Sequence, residues 1–244
     1  MREGTLQNTD GEDGEDLAVA FKRIRSERMG SFMNPLLEVR LESLQDSLDK
    51  LSMTVDENLR SVLFSLTCDT TVAHIPLKDI SVLAQKSRER CLLLVAREHP
   101  LANDLKYAMA ALRVGHDYER IHELSVSLHK RVDLLRGTPM QDVVQDMTGI
   151  MADILKLHEI VRHTWQRDRR DQSTPALKPQ VSAIVSTIYS RIAAIQNKIM
   201  ELIAKGGGSP EMFVELVLAC RHIKRIANTM EAIPDELHAF DKRD

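Results

Sequence analysis

After Asn34-Pro35, the residues Leu37, Leu41, Leu44, Leu48, Leu51, Val55, Asn58 and Val62 step by alternating four and three positions, and all but Asn58 are apolar. A strand would need apolar residues at every second position, whereas this spacing paints one stripe along a helix. The step is that of a heptad seam, so the helix must be covered by other helices. Asn58 either sets the register of that packing or is a polar group satisfied near the bundle surface, and the second reading is the plainer one.

The same period recurs along the chain. A second helix is predicted from Leu77 to about Glu98, burying Ile80, Leu83, Cys91, Leu92 and Val95. Pro100, Asn103 and Asp104 are start signals for a third, with Leu105, Met109, Leu112, Ile121, Leu124 and Leu128 at helical spacing and a stop near Gly137-Thr138-Pro139. A fourth runs from Met140 to about Arg169 on Val143, Met147, Ile150, Ile154, Leu157 and Val161. A fifth spans Gln180 to Lys205 on Ile184, Ile188, Ile192, Ile195, Ile199 and Leu202, and a sixth opens at Pro210. Aromatic residues make up only 4% of the chain, so aliphatic side chains must fill the core, as in helical bundles.

Shifting the third helix by 105 positions lays it on the sixth without gaps: Leu112 falls on Val217 and Arg120-Ile121 on Arg225-Ile226. Periodicity thus predicts an all-α chain built twice from a three-helix unit. The expected parts are a mobile tail over 1–32, where Asp10 to Asp16 is acidic and Gly-rich, a first repeat over 33–137 and a second over 138–244.

The net charge of −3 argues against a general nucleic-acid binder, which needs a concentrated basic surface. Cys68, Cys91 and Cys220 are odd in number and sit in apolar runs, as free thiols do in a reducing compartment. No apolar run approaches the roughly 20 residues that span a bilayer, and the first residues lack a secretory pattern. The expectation is a cytoplasmic protein that meets membranes only through partners. No phosphate loop, nucleophile elbow, His-Glu-x-x-His or Cys-x-x-Cys occurs, so no enzyme activity is expected.

His116, Glu119 and Glu123 stand three and four residues apart, which stacks an imidazole and two carboxylates on one helical face. Carboxylate oxygens suit hard cations, and imidazole adds affinity for iron, zinc or manganese. The plainer alternative is a solvated face with Glu119 paired to nearby arginines. His122 and His129 are read as packing or surface residues.

His99-Pro-Leu-Ala-Asn-Asp-Leu-Lys106 resembles the Gln-Pro-x-Ala-x-Asp-Leu-Arg signature of the PhoU family, accessory regulators of bacterial phosphate uptake. Tyr118-Glu-Arg-Ile-His-Glu123 stands where that family has Leu-Glu-Arg-Ile-Gly-Asp. The resemblance implies two three-helix bundles side by side, a homodimer, and a regulatory adaptor that binds the phosphate ABC transporter ATPase and a sensor histidine kinase. It also implies a metal site on Glu119 and Glu123, with His116 beside them. The second copy departs from the pattern, because Arg221, Lys224 and Asn228 stand at the corresponding positions. An ammonium group repels cations, so metal is expected at the first repeat only. The rival readings are a carboxylate-bridged metal-binding bundle protein or enzyme, and a helical scaffold with another client.

Overall fold

The computed structural model describes residues 35–67, 77–100, 102–135, 140–166 and 177–238. They form six helices: α1 Pro35–Thr67, α2 Ser81–Glu98, α3 Ala102–Leu135, α4 Gln141–Gln166, α5 Leu177–Ala204 and α6 Pro210–His238. The proposed tail over 1–32, residues 68–76 with Cys68, residues 136–139 with the stop at Gly137, and residues 167–176 lie outside the described residues. No helix among the described residues is long and apolar enough to cross a membrane.

The seam of α1 is buried as its spacing predicts, with Leu41, Leu44, Leu48, Leu51, Val55 and Val62 all but inaccessible to water. Asn58 is equally buried, not near the surface. Its amide accepts from the backbone N–H of Lys78 at 2.7 Å and donates to the Lys78 carbonyl at 2.9 Å. Nδ2 also lies 3.1 Å from Nδ1 of His122. One side chain therefore ties α1 to the approach of α2 and to α3. The same grip explains why α2 starts at Ser81 rather than Leu77: both backbone groups of Lys78 are held by Asn58, and Asp79 Oδ1 then accepts from the N–H of Ser81 at 2.9 Å.

Cross-helix contacts fix the directions. Asn58 meets His122 and Ser65 meets His129, a constant separation that makes α1 and α3 parallel. Arg40 pairs with Glu98 at 2.8 Å and Arg90 bonds Ser47, so α2 runs against α1. Asp153 pairs with Arg191 and Asp146 with Lys198, so α4 and α5 are antiparallel. Lys178 meets Asp235 and Lys224 meets Tyr189, which sets α5 against α6. The two triads, α1–α2–α3 and α4–α5–α6, thus have the same up-down-up course. They join along α3 and α6 and along α1 and α4, and one apolar cluster runs through all six helices.

Two expectations about burial fail locally. Leu92 is 56% exposed while Leu94 is buried, and Leu105 and Met109 lie outside while Ala108, Ala110 and Ala111 are buried. The thiol of Cys91 sits 2.9 Å from the carbonyl oxygen of Ala108. With α2 that close to the backbone of α3, only alanines fit between them, and the larger side chains are turned outward.

A buried polar relay crosses from the first triad to the second. Tyr118 on α3 donates from its hydroxyl to Ser52 Oγ on α1 at 3.1 Å, and Ser52 Oγ lies 3.3 Å from His158 Nε2 on α4. Nδ1 of His158 is 3.4 Å from Asp56, which Arg60 also binds at 2.6 Å. The imidazole, and after it Arg60, hold the Asp56 carboxyl down at about 2 against the opposing effect of burial. A depressed carboxyl contributes stability that is complete above its unfolded value near 4 and lost as pH falls through 2. Asp56 remains partly open to solvent, so the contribution is on the order of 1 kcal/mol. Urea midpoints compared between pH 5 and pH 2.5 should fall further for the wild type than for Asp56→Asn.

Candidate functional site at the groove between α3 and α6

Helices α3 and α6 pack antiparallel. Arg131 near the end of α3 pairs with Glu215 near the start of α6, and residues near the middle of one helix face the middle of the other. Between them lies a polar cavity of about 380 Å³, lined from α3 by His116, Glu119, Arg120, Glu123, Leu124 and Ser127, and from α6 by His222 and Arg225. Ile121, Ile223 and Ile226 are buried behind it, so the apolar side of each helix fixes which polar residues face the cavity.

The structure therefore brings His116, Glu119 and Glu123 to one wall, as their spacing predicts. It does not leave them free. Arg88 of α2 forks onto Glu119, with Nη1 to Oε2 at 3.0 Å and Nη2 to Oε1 at 3.1 Å. Glu119 is thus paired to an arginine, as in the plainer reading, and the partner comes from the neighbouring helix. Among the described residues no three His, Cys, Asp or Glu side chains gather in an arrangement that holds a metal ion. A metal on Glu119 would have to displace a bidentate guanidinium and sit beside Arg120, and the side chains as placed do not fit one.

His122, although next in sequence to this face, points the other way, toward Asn58, where burial lowers its pKa. His129 is buried against Ser65 at 3.4 Å, so both histidines are packing groups. On α6, Lys224 stands over the ring of Tyr189 at 4.8 Å from its centroid, while Arg221 and Asn228 are exposed. A cation over an aromatic face is a stable arrangement, and it binds Lys224 to α5 instead of the groove.

Sequence reasoning missed Arg88, His222 and Arg225 as residues of this site. The signal for one of them was present: the shift of 105 positions lays Arg120 on Arg225, and both line the cavity. What the shift alone does not reveal is that the two motif copies share a single groove. The expectation of one site per repeat, the second lost, gives way to one cavity with walls of unlike charge. His222 has a lowered pKa, through burial first and then through the guanidinium groups of Arg131, Arg225 and Arg221.

A second cavity, about 550 Å³ and apolar, lies where α5 turns into α6, lined by Ile203, Pro210, Phe213, Val214, Val217 and Leu218. Gly208 in that turn has φ +102, and a Cβ there would stand 2.4 Å from the end of Met212. The turn is built around a residue without a side chain.

No family model matches the chain. It is 21% identical over 205 residues to the phosphate-specific transport system accessory protein PhoU homolog 1 of Thermotoga maritima, covering 82% of this chain and 86% of that protein. The PhoU homolog of Clostridium acetobutylicum is 18% identical over 198 residues, covering 79% of this chain and 88% of that one. The crystal structure of PhoU from Pseudomonas aeruginosa superposes with a TM-score of 0.70 at 15% identity, covering 84% of this chain and 98% of the other. Sequence likeness to two PhoU homologs thus runs over about four fifths of the chain, and its fold is that of PhoU from Pseudomonas aeruginosa.

Proposed function

We propose that this protein is a non-enzymatic regulatory adaptor of phosphate uptake and phosphate-starvation signalling, acting in the cytoplasm on the ATPase of the phosphate ABC transporter and on a sensor histidine kinase. The observation that carries this reading is the likeness, over most of the chain, to two proteins named as accessory to the phosphate-specific transport system. A helical bundle with exposed apolar positions such as Leu92, Met200 and Val214 suits contact with other proteins. Homodimerisation belongs to the same proposal. A metal held by His116, Glu119 and Glu123 would require Arg88 to release Glu119, and the adaptor role does not depend on it.

Deleting the gene in cells grown with ample phosphate is expected to raise phosphate uptake and switch on the starvation response. Tagged protein from the same cells is expected to bring down the transporter ATPase or the sensor kinase after cross-linking. Unchanged uptake together with recovery of neither partner would remove this reading in favour of a scaffold with another client.

A further inference from the structure

The cavity between α3 and α6 contains donors without acceptors. Arg40, Arg60, Arg88, Arg131 and Arg191 each hold a carboxylate within 3.0 Å. Arg120 and Arg225, by contrast, have no carboxylate within ion-pair distance among the described residues, although both line the same cavity. Both ring nitrogens of His222 are sealed from solvent and lack any hydrogen-bond partner. A neutral imidazole carries one N–H and a protonated one carries two, so at least one buried donor is unmet there. Buried polar groups without partners are uncommon and call for an explanation.

Symmetry adds to this. Arg120 and Arg225 are equivalent residues of the two repeats, and the antiparallel pairing of α3 with α6 presents both to one space. Guanidinium groups are planar forks matched to the oxygens of carboxylates and phosphates. The cavity, at about 380 Å³, falls within the range of small-molecule pockets. Of its two acids, Glu119 is neutralised by Arg88, which leaves Glu123 as the one opposing charge.

We propose that this groove binds a tetrahedral oxyanion, inorganic phosphate in the first instance, between the guanidinium groups of Arg120 and Arg225, with Ser127, and His222 once its ring turns into the groove, as further donors. The bound group thus carries the opposite charge to the metal ion that the acidic motif suggests. Arg88 supports the site indirectly by cancelling the charge of Glu119. Glu123 weakens it, which gives the site a tunable affinity. The inference deepens the regulatory reading by giving it a ligand, and it rests on that reading only for the choice of phosphate as probe.

The test is calorimetric titration of inorganic phosphate into the purified full chain, treated with chelator, with sulfate as competitor. Phosphate is expected to bind at millimolar concentrations or below, and sulfate, of the same shape, to compete. Arg120→Ala and Arg225→Ala should each weaken binding about tenfold or more, the loss of one charge-assisted contact. Arg60→Ala, remote from the groove, should leave it unchanged. Glu123→Gln should tighten binding several-fold, a gain that misfolding cannot produce. No heat with the wild type, binding indifferent to both arginine substitutions, or weaker binding in Glu123→Gln would each overturn the site. So would phosphate binding that appears only after manganese is added. Because the titration uses the purified chain alone, a failure here with partners still recovered from cells would remove the ligand and leave the adaptor standing.

Discussion

Tyr118→Ala is expected to destabilise the protein by about 3–5 kcal/mol, the usual cost of removing a fully buried aromatic ring. Tyr118 has no accessible surface and is among the largest side chains so enclosed. Its ring meets His158 edge-on at 5.8 Å between centroids, so the truncation opens a cavity on the seam between the two triads. Tyr118→Phe separates the ring from the hydroxyl. It keeps the packing and removes the hydroxyl that donates to Ser52, at a cost of about 1 kcal/mol. Urea unfolding of the two variants should show midpoints well apart. Near-equal losses would mean that the relay, not the ring, dominates this junction.

Substitution of Asn58 has the next largest expected effect. Asn58→Ala leaves the N–H and carbonyl of Lys78 and one nitrogen of His122 without their partner, at about 2–4 kcal/mol, since each part-buried polar group loses its bond while a cavity opens. Asn58→Asp is the sharper probe. A carboxylate still accepts from the Lys78 N–H but sets an oxygen against the Lys78 carbonyl, so it should be destabilised at neutral pH and recover partly in acid, as the carboxyl is protonated and becomes a donor. Thermal melts across pH 4 to 8 read this directly. Hydrogen exchange should also show the first turn of α2 opening in both variants, because that turn begins where Asn58 lets go. An unchanged first turn would separate Asn58 from the start of α2.

Helix number and length were legible because burial in a bundle follows a period that the sequence displays openly. The fully buried stripes of α1, α4 and α5 match their apolar residues almost position for position. Legibility failed where a contact between helices, not the period within one, decides orientation. Leu105 and Met109 are turned out because α2 approaches α3 too closely for them, and nothing within α3 announces that. Asn58 was misplaced for a like reason: its partners lie 20 and 64 residues away. In the candidate site, the stacking of His116, Glu119 and Glu123 was readable from their spacing. Arg88 was not, because its reach to Glu119 depends on how α2 is rotated about its own axis. His222 and Arg225 came into view only once α6 was laid against α3.

The opposed directions of α3 and α6 also set a distance. At the usual rise of 1.5 Å per residue, the turn from α2 into α3 and the turn from α5 into α6 stand on the order of 50 Å apart, at opposite ends of the α3–α6 pair. Leu92, Leu93 and Leu105 surround the first turn, and Met200, Ile203 and Val214 surround the second. A small globular domain is narrower than that span, so a single such body seated on one turn leaves the other open. Among the described residues, α3 and α6 thus set an apolar turn at each end of their pair, with the charged groove midway between the two.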